Sequence, residues 1–585
     1  MATGNPRELP ATVSEPAMVR FGIFELDLKR RELRRKGVLI KLQQQPYEIL
    51  RLLVTHRGEW VSRELIQQEL WPDGRFVDFE RGINTAIMKL RHALRESASA
   101  PAYIETAPRL GYRLMAPVVE PQSETTTSDA IAILPLEDLS NNPDTQFFVD
   151  GLTDALITEM ARLSGLRVVS RTTMQRYKNS SKTVREIAAE LKVPTIVEGS
   201  VLRSGDRIRI SARLLDAVGD RHLWAQTYER DLKDILSLQQ ELVTAIACST
   251  SKAVRQESQP APAKEIAPKA YESFLRGNFL LSLRAPKSLA KAIECYDAAM
   301  VLEPNWAPPY AALAEAKRIQ HFMHQIASAE VVDNIRALTD KALALDPSNA
   351  QAHATLGTVL AMHLWRWNEG ESRIQRALGH NPQSAHVEHL YSTILLAQGR
   401  YEEALAHIER ALAIEHSSLF LRSHRVQVLL FARRYEECIR ESEDLLEENS
   451  EFVMGLMNYG AALLSAGRAG EAIPVLERAE AISPLPVVLA ALAEAQYLSN
   501  ERWKLQETLQ RLDRMYRESG ASFTTMALGS LAAGRTDEAI EWIEKAFQEH
   551  DVRLPLLSQT TPFDRIRKNE KVTAILKSVY RDASL

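Results

Sequence analysis

Three kinds of hydrophobic pattern follow one another along the chain. From Val19 onward, apolar and polar residues alternate in short runs: Phe21-Gly22-Ile23-Phe24, Glu32-Leu33-Arg34-Arg35 and, after Gly37, Val38-Leu39-Ile40-Lys41-Leu42. A period of two predicts a small antiparallel sheet. Helical spacing takes over at Pro46, which suits a first helical turn, and Ile49, Leu50, Leu52 and Leu53 form the apolar side of a helix over 46–56. Ser62 is placed to cap a second helix over 63–70, and a third, over 79–94, carries Ile83, Ile87, Leu90 and Leu94 on one stripe. The opposite face of that third helix holds Arg81, Asn84, Thr85, Met88, Lys89, Arg91 and His92. Alternation returns in Tyr103-Ile104-Glu105-Thr106 and Gly111-Tyr112-Arg113-Leu114, two strands joined by Ala107-Pro108-Arg109-Leu110.

The second pattern mixes strands with helices and predicts an α/β domain. Ala130-Ile131-Ala132-Ile133-Leu134 reads as a buried strand, followed by a helix over 147–163, a strand at Val168-Val169 and a helix over 184–191. Strands over 195–203 and 207–216 make a hairpin around Ser204-Gly205-Asp206. In its second strand Ile208, Ile210, Ala212 and Leu214 alternate with Arg207, Arg209, Ser211 and Arg213, so one face is apolar and the other cationic. His222-Leu223-Trp224-Ala225 predicts another strand, and 234–254 a closing helix.

The third pattern is a repeat of 34 residues. Ala377, Ala411, Leu445 and Ala479 recur at that spacing, preceded by Ile374, Ile408, Ser442 and Leu476. Turns recur with them: Trp365-Arg366-Trp367, Gly399-Arg400-Tyr401, Arg433-Arg434-Tyr435 and Gly467-Arg468-Ala469. Small residues at helix crossings and prolines closing units, such as Pro347 and Pro382, resemble the tetratricopeptide repeat, whose helix pairs must stack to bury a core. About eight units fit between Pro268 and His550, with an irregular unit near Lys504 and a tail over 562–580 expected to cap the stack.

The length of 585 residues excludes a single core. At 45% hydrophobic and 25% charged, the chain is of ordinary globular composition, not collagenous, coiled-coil or wholly disordered. The expected organisation is a disordered 1–17, a head over 18–118, a linker over 119–129, a middle domain over 130–255, a second linker over 256–267 and the repeats over 268–585. The head carries 18 Lys/Arg against 12 Asp/Glu, a net of +6; with −4 for the whole chain, the remainder carries −10. Cys248, Cys295 and Cys438 form no short-spaced motif and read as ordinary thiols of a reducing compartment. No signal-peptide core or membrane-length apolar run is present, so the expected location is the cytoplasm, with no membrane partner.

The head as a whole, with Val61-Ser62-Arg63-Glu64-Leu65, Leu90-Arg91-His92-Ala93-Leu94 and Thr106 through Gly111-Tyr112-Arg113, resembles the OmpR/PhoB-type winged helix-turn-helix. That resemblance implies a third helix in the major groove of double-stranded promoter DNA and a hairpin wing at the minor groove. Asn84, Thr85, Met88 and Lys89 would then face base edges, Arg81 and Arg91 would hold phosphates, and Arg109 would enter or border the minor groove. Pro108-Arg109 stands where response regulators usually have Arg-Gly, a departure that leaves the register of Arg109 open. The segment from Trp71 to Asp78 matches the loop that touches RNA polymerase in family members; a packed Trp71 in an ordinary loop reads equally well.

Ile133-Leu134-Pro135-Leu136, the run from Phe148 to Thr153, Val197-Glu198-Gly199-Ser200-Val201 and Leu223-Trp224-Ala225 resemble the TolB amino-terminal-like domain, which implies no settled chemistry. For the Arg207/Arg209/Arg213 row a solvated sheet face outweighs an anion site. No phosphate-binding loop, dinucleotide fingerprint, HExxH or GxSxG occurs, and the His321/His324 and His386/His389 pairs lack partnering acids or cysteines. Neither an enzyme nor a cofactor nor a bound metal is expected. The whole resembles CadC-like one-component regulators without their membrane helix and without a phospho-acceptor domain. The expected role is a DNA-binding transcriptional regulator whose repeats dock a protein or peptide on their concave side. A signalling scaffold that binds proteins through its repeats without functional DNA binding is the alternative.

Overall fold

The computed structural model describes residues 18–581 except 23, 29, 36–37, 57, 72–77, 95, 97–102, 108–109, 117, 120–129, 141–144, 162–166, 179, 218, 220, 251–264, 284–285 and 325–328. The chain forms two compact units that part after Thr127. In the first, β1 (Met18–Phe21), β2 (Phe24–Asp27), β3 (Glu32–Arg35) and β4 (Val38–Ile40) precede α1 (Gln44–Thr55), α2 (Arg63–Leu70) and α3 (Phe79–Leu94). A hairpin of β5 (Ile104–Ala107) and β6 (Gly111–Leu114) follows, and β7 (Val118–Val119) returns to β1, giving an antiparallel sheet of order β4-β3-β2-β1-β7. One expectation changes here. Phe21 and Phe24 do not share a strand: Phe21 closes β1, Phe24 opens β2 opposite it, and Gly22 after Phe21 has φ 56°. A Cβ on Gly22 would lie 2.6 Å from the Tyr103 ring, which closes edge-on over Phe21 and Phe24.

The second unit begins with β8 (Ala130–Ile133), β9 (Glu137–Asp138), α4 (Gln146–Ala161), β10 (Arg167–Val168), α5 (Arg171–Gln175) and α6 (Val184–Leu191). β11 (Thr195–Ser204), β12 (Arg207–Asp216), β13 (Arg221–Asp231) and α7 (Ile235–Thr250) complete this layer. The sheet order is β10-β8-β11-β12-β13; β8 runs parallel to both neighbours, and β11, β12 and β13 are antiparallel. The alternation of β12 does what its sequence predicts: Ile208, Ile210, Ala212 and Leu214 are buried. Its arginines are partnered across the sheet, Arg207 and Arg209 with Glu229 at 3.0 Å each and Arg213 with Glu198 at 3.3 Å. That face is a lattice of ion pairs, not a cradle for an anion.

The middle layer shares its core with the first repeat helix, Pro268–Ser282. Gly151 of α4 lets the two helices meet, because a Cβ there would sit 2.8 Å from Leu275. Tyr271 is fully buried and donates to Gln239 at 2.9 Å. Eight helix pairs then stack among the described residues, from Pro268–Ser282 with Pro286–Leu302 to Phe523–Ala532 with Thr536–Gln548. The turns inside the pairs share one backbone solution: Trp365, Gly399, Arg433, Gly467, Asn500 and Gly534 all have positive φ. In most of them an arginine follows and grips a glutamate three residues on, as Arg400 does with Glu403 at 2.8 and 2.7 Å. Successive first helices pack on one another and form the inner, concave layer.

The array curls until its last pair meets its third: Trp365 stacks on Phe547 at 5.5 Å and on His550 at 4.3 Å. The tail does more than close the last unit. It runs back along the ends of the inner helices, where Trp367 donates to Val579 O at 2.7 Å, Gln559 to Ala397 O at 2.6 Å, and Arg433 to Asp564 at 2.8 Å. The His386/His389 pair serves packing. His386 reaches Glu315 at 3.4 Å, and His389 packs against Phe420 and His424. Burial alone would raise the Glu315 carboxyl; Arg318 and His386 hold it well below its ordinary range. Among the described residues no group of three or more His, Cys, Asp or Glu is arranged to hold a metal, and no helix is long and apolar enough to cross a membrane.

Candidate nucleic-acid interface

The third helix of the head owes its exposed face to the stripe behind it. Ile83, Ala86, Ile87, Leu90 and Leu94 are buried with Ile49, Leu50 and Leu53 of α1, which fixes the rotation of α3 about its axis. Asp78 anchors its start by accepting from Arg81 N at 3.1 Å. Trp71 packs edge-on against Phe79, and a Cβ on Gly82 would lie 2.9 Å from the Trp71 ring, so helix α3 meets α2 closely here. Residues 72–77 of the loop between them lie outside the described residues.

With that rotation fixed, Arg81, Asn84, Thr85, Met88 and Lys89 all stand exposed on one side, Met88 at 63% of its surface. The side chains are held in place. Thr85 donates to Arg81 O at 2.8 Å, and Lys89 donates to Gln43 at 2.7 Å. Asn84 Oδ1 accepts from Arg63 at 3.2 Å and from Tyr112 at 3.2 Å. Arg63 is the hub of this arrangement: its guanidinium also donates to Tyr112 at 2.8 Å and Glu80 at 2.5 Å, and lies 5.1 Å from the centre of the Tyr112 ring. Burial pushes the Tyr112 phenol above its ordinary value, which keeps it protonated as a donor. Sequence periodicity does not single out Arg63, because its partners lie 21 and 49 residues away.

Arg91 stands apart from this surface. Its side chain is 11% exposed and its guanidinium donates to Ile104 O at 2.9 Å and Thr106 Oγ1 at 2.8 Å, both on β5. Glu96 completes the contact by accepting from the backbone of Tyr103 at 2.6 Å and Ile104 at 3.1 Å. Helix α3 therefore carries the hairpin through Arg91, while Val61 bridges Tyr112 from the start of α2. Arg109, between β5 and β6 in the sequence, lies outside the described residues.

Comparison with known proteins bears on this geometry directly. Residues 37–114 match the family "Transcriptional regulatory protein, C terminal", residues 127–245 the second domain of HilA/YgeH-like transcriptional regulators, and residues 366–417 and 425–485 a tetratricopeptide repeat. The chain carries an OmpR/PhoB-type DNA-binding domain, a HilA-like regulator domain and tetratricopeptide repeats. The OmpR/PhoB-type domain thus covers the three helices and the hairpin, and the HilA-like model covers the layer in which the sequence resembles a TolB-type domain.

The transcriptional regulator HilA of Salmonella typhimurium is 24% identical over 405 residues, covering 68% of this chain and 70% of that protein. A Rhizobium meliloti protein named "Putative adenylate cyclase 3" is 31% identical over 254 residues, 41% of this chain and 42% of its own length, so the match takes in less than half of that relative. The solved DNA-binding domain of E. coli CadC is 28% identical, with 18% of this chain and 99% of that chain aligned at a TM-score of 0.16.

Proposed function

We propose that this chain is a cytoplasmic bacterial transcriptional regulator whose OmpR/PhoB-type domain reads double-stranded promoter DNA, while the HilA-like domain and repeats dock a protein partner. The observation that carries the reading is the exposed face of α3, oriented by a packed apolar stripe and projecting one amide and two cations at helical spacing. In a major groove Asn84 would pair with adenine N6 and N7, Lys89 with guanine O6 or N7, and Met88 and Thr85 with thymine methyl groups; Arg81 would hold a phosphate. Arg91 enters this reading as the residue that positions the wing, and Arg109 as the contact at the minor groove edge. A contact with RNA polymerase through the segment from Trp71 to Asp78 is a secondary part of the proposal; Trp71 itself packs on Phe79, and residues 72–77 lie outside the described residues.

Binding of the full chain to DNA upstream of its own gene, titrated by gel shift at two salt concentrations, tests it. Wild type should lose affinity steeply as salt rises. Asn84→Ala should weaken specific binding by about 1–3 kcal/mol and relax the sequence preference. Arg81→Ala should weaken binding to all sequences and lower the salt slope by about 1. Arg91→Ala should act differently, lowering the melting temperature of the head because the hairpin loses two hydrogen bonds. Equally poor binding by wild type, Asn84→Ala and Arg81→Ala would transfer the function to the scaffold alternative.

A further inference from the structure

The concave side of the repeat array holds a half-open pocket of about 150 Å³. Its wall is apolar: Leu430, Met457, Ala461 and Ala491 come from three successive inner helices, and Leu557 and Pro562 of the chain's own tail cover one side. Small side chains make the space, since Ala461 and Ala491 face it where a longer aliphatic residue would fill it.

Five polar side chains of the wall have partners within the protein. Asn458 donates to Ser423 O and Oγ at 3.1 Å each, Arg565 grips Glu494 at 2.5 Å, and Gln559 donates to Ala397 O at 2.6 Å. Thr561 donates to Ser465 at 3.1 Å, and Thr560 to Leu557 O at 2.6 Å. A charged or strongly hydrogen-bonding guest would have to compete with these contacts, of which those of Asn458 are buried and those of Gln559 and Glu494 half-buried, at the cost of a desolvated group. An apolar guest loses nothing. The pocket is also continuous with the interface between the inner helices and the tail, which already places apolar groups such as Leu557 against the same wall. That tail leaves a pocket in place of an open groove, so the fitting occupant is a small molecule and not an extended chain.

We infer that this pocket is a ligand site for a small uncharged apolar or aromatic molecule, of the size class between benzene and indole. An apolar pocket of this size accepts such molecules because the guest covers apolar wall and makes dispersion contacts there. The ends of the ligand would touch inner helices of different repeats and the tail together, so its presence would be felt across the second half of the array.

Thermal unfolding of the full chain with benzene and with indole as probes tests the assignment. A bound probe stabilises the folded state, and at concentrations of ten or more times Kd the melting temperature should rise by about 1–3 °C. Ala461→Phe, which fills the space, should fold and lose the probe-induced shift. Ala491→Leu should reduce it by the same mechanism and stands in if the first variant fails to fold. The inference is overturned if neither probe shifts wild type, or if the shift persists undiminished in the filled variant.

Discussion

Trp367→Ala should detach the C-terminal tail and lower the stability of the repeat array by about 3–5 kcal/mol from lost packing alone. Trp367 is fully buried, its indole N–H donates to Val579 O at 2.7 Å, and its ring stacks on Tyr580 at 5.8 Å. Truncation leaves a cavity and also strands a buried carbonyl, a further cost of about 1–3 kcal/mol. The effect should spread, because the tail ties units that are far apart in sequence: Gln559 reaches the pair containing Ala397, and Arg433 and Glu494 each hold a tail residue. Calorimetric unfolding should show the loss, and limited proteolysis should cut the tail between Leu554 and Tyr580 in the variant before it does so in wild type. Trp503→Ala supplies the comparison. That residue is 79% exposed, and its removal should change stability by less than about 0.5 kcal/mol. Equal melting of the two variants would show that the tail contributes nothing to the array.

The repeats were readable because their signal is local and periodic. Ala377, Ala411 and Ala479 recur at helix crossings where a larger side chain cannot fit, and all three are buried. The path of the tail was not readable. Its anchors pair Trp367 with Val579 and Tyr401 with Gln559, contacts separated by 212 and 158 residues, and no short window of sequence contains both partners. The expectation that the tail caps the end of the stack followed from chain order; the actual course follows from the curl that brings Trp365 against Phe547. The concave side, expected to take a peptide, is in part occupied by this tail.

In the head, the stripe of Ile83, Ile87, Leu90 and Leu94 located the buried side of α3, and with it the exposed side. Helical periodicity specifies direction, which is why Asn84 and Lys89 could be placed outward. It does not specify what an outward cation will touch. Arg91 lies at the edge of the stripe, where the neighbouring hairpin supplies Ile104 O and Thr106 Oγ1. The same limit hid Arg63, whose role depends on the hairpin folding back over α2 to bring Tyr112 within 2.8 Å.

Gly111→Ala should dislodge that hairpin and cost the head about 2–6 kcal/mol, the sum of backbone strain and the loss of two bridging hydrogen bonds. Gly111 has φ 105°, and a Cβ there would lie 2.1 Å from Val61 O and 3.0 Å from Ser62 Cα. Neither neighbour can yield, because Val61 and Tyr112 exchange backbone hydrogen bonds at 2.8 and 3.0 Å and Ser62 caps α2. Pushing β6 away would also withdraw Tyr112 from Arg63 and Asn84, so the surface of α3 would lose its scaffold together with the wing. Gly58→Ala separates strain from collision: its φ is 87°, but the nearest atom to a Cβ, Leu114 O, is 3.7 Å away. That variant should cost only the conformational part, about 1–2 kcal/mol. The measurement is the unfolding transition of the head followed beside DNA affinity. Gly111→Ala should lose both, and Gly58→Ala should keep DNA binding at temperatures below its own transition. If Gly111→Ala melts no lower than Gly58→Ala, the Val61–Tyr112 bridge is not what holds the hairpin to the helices.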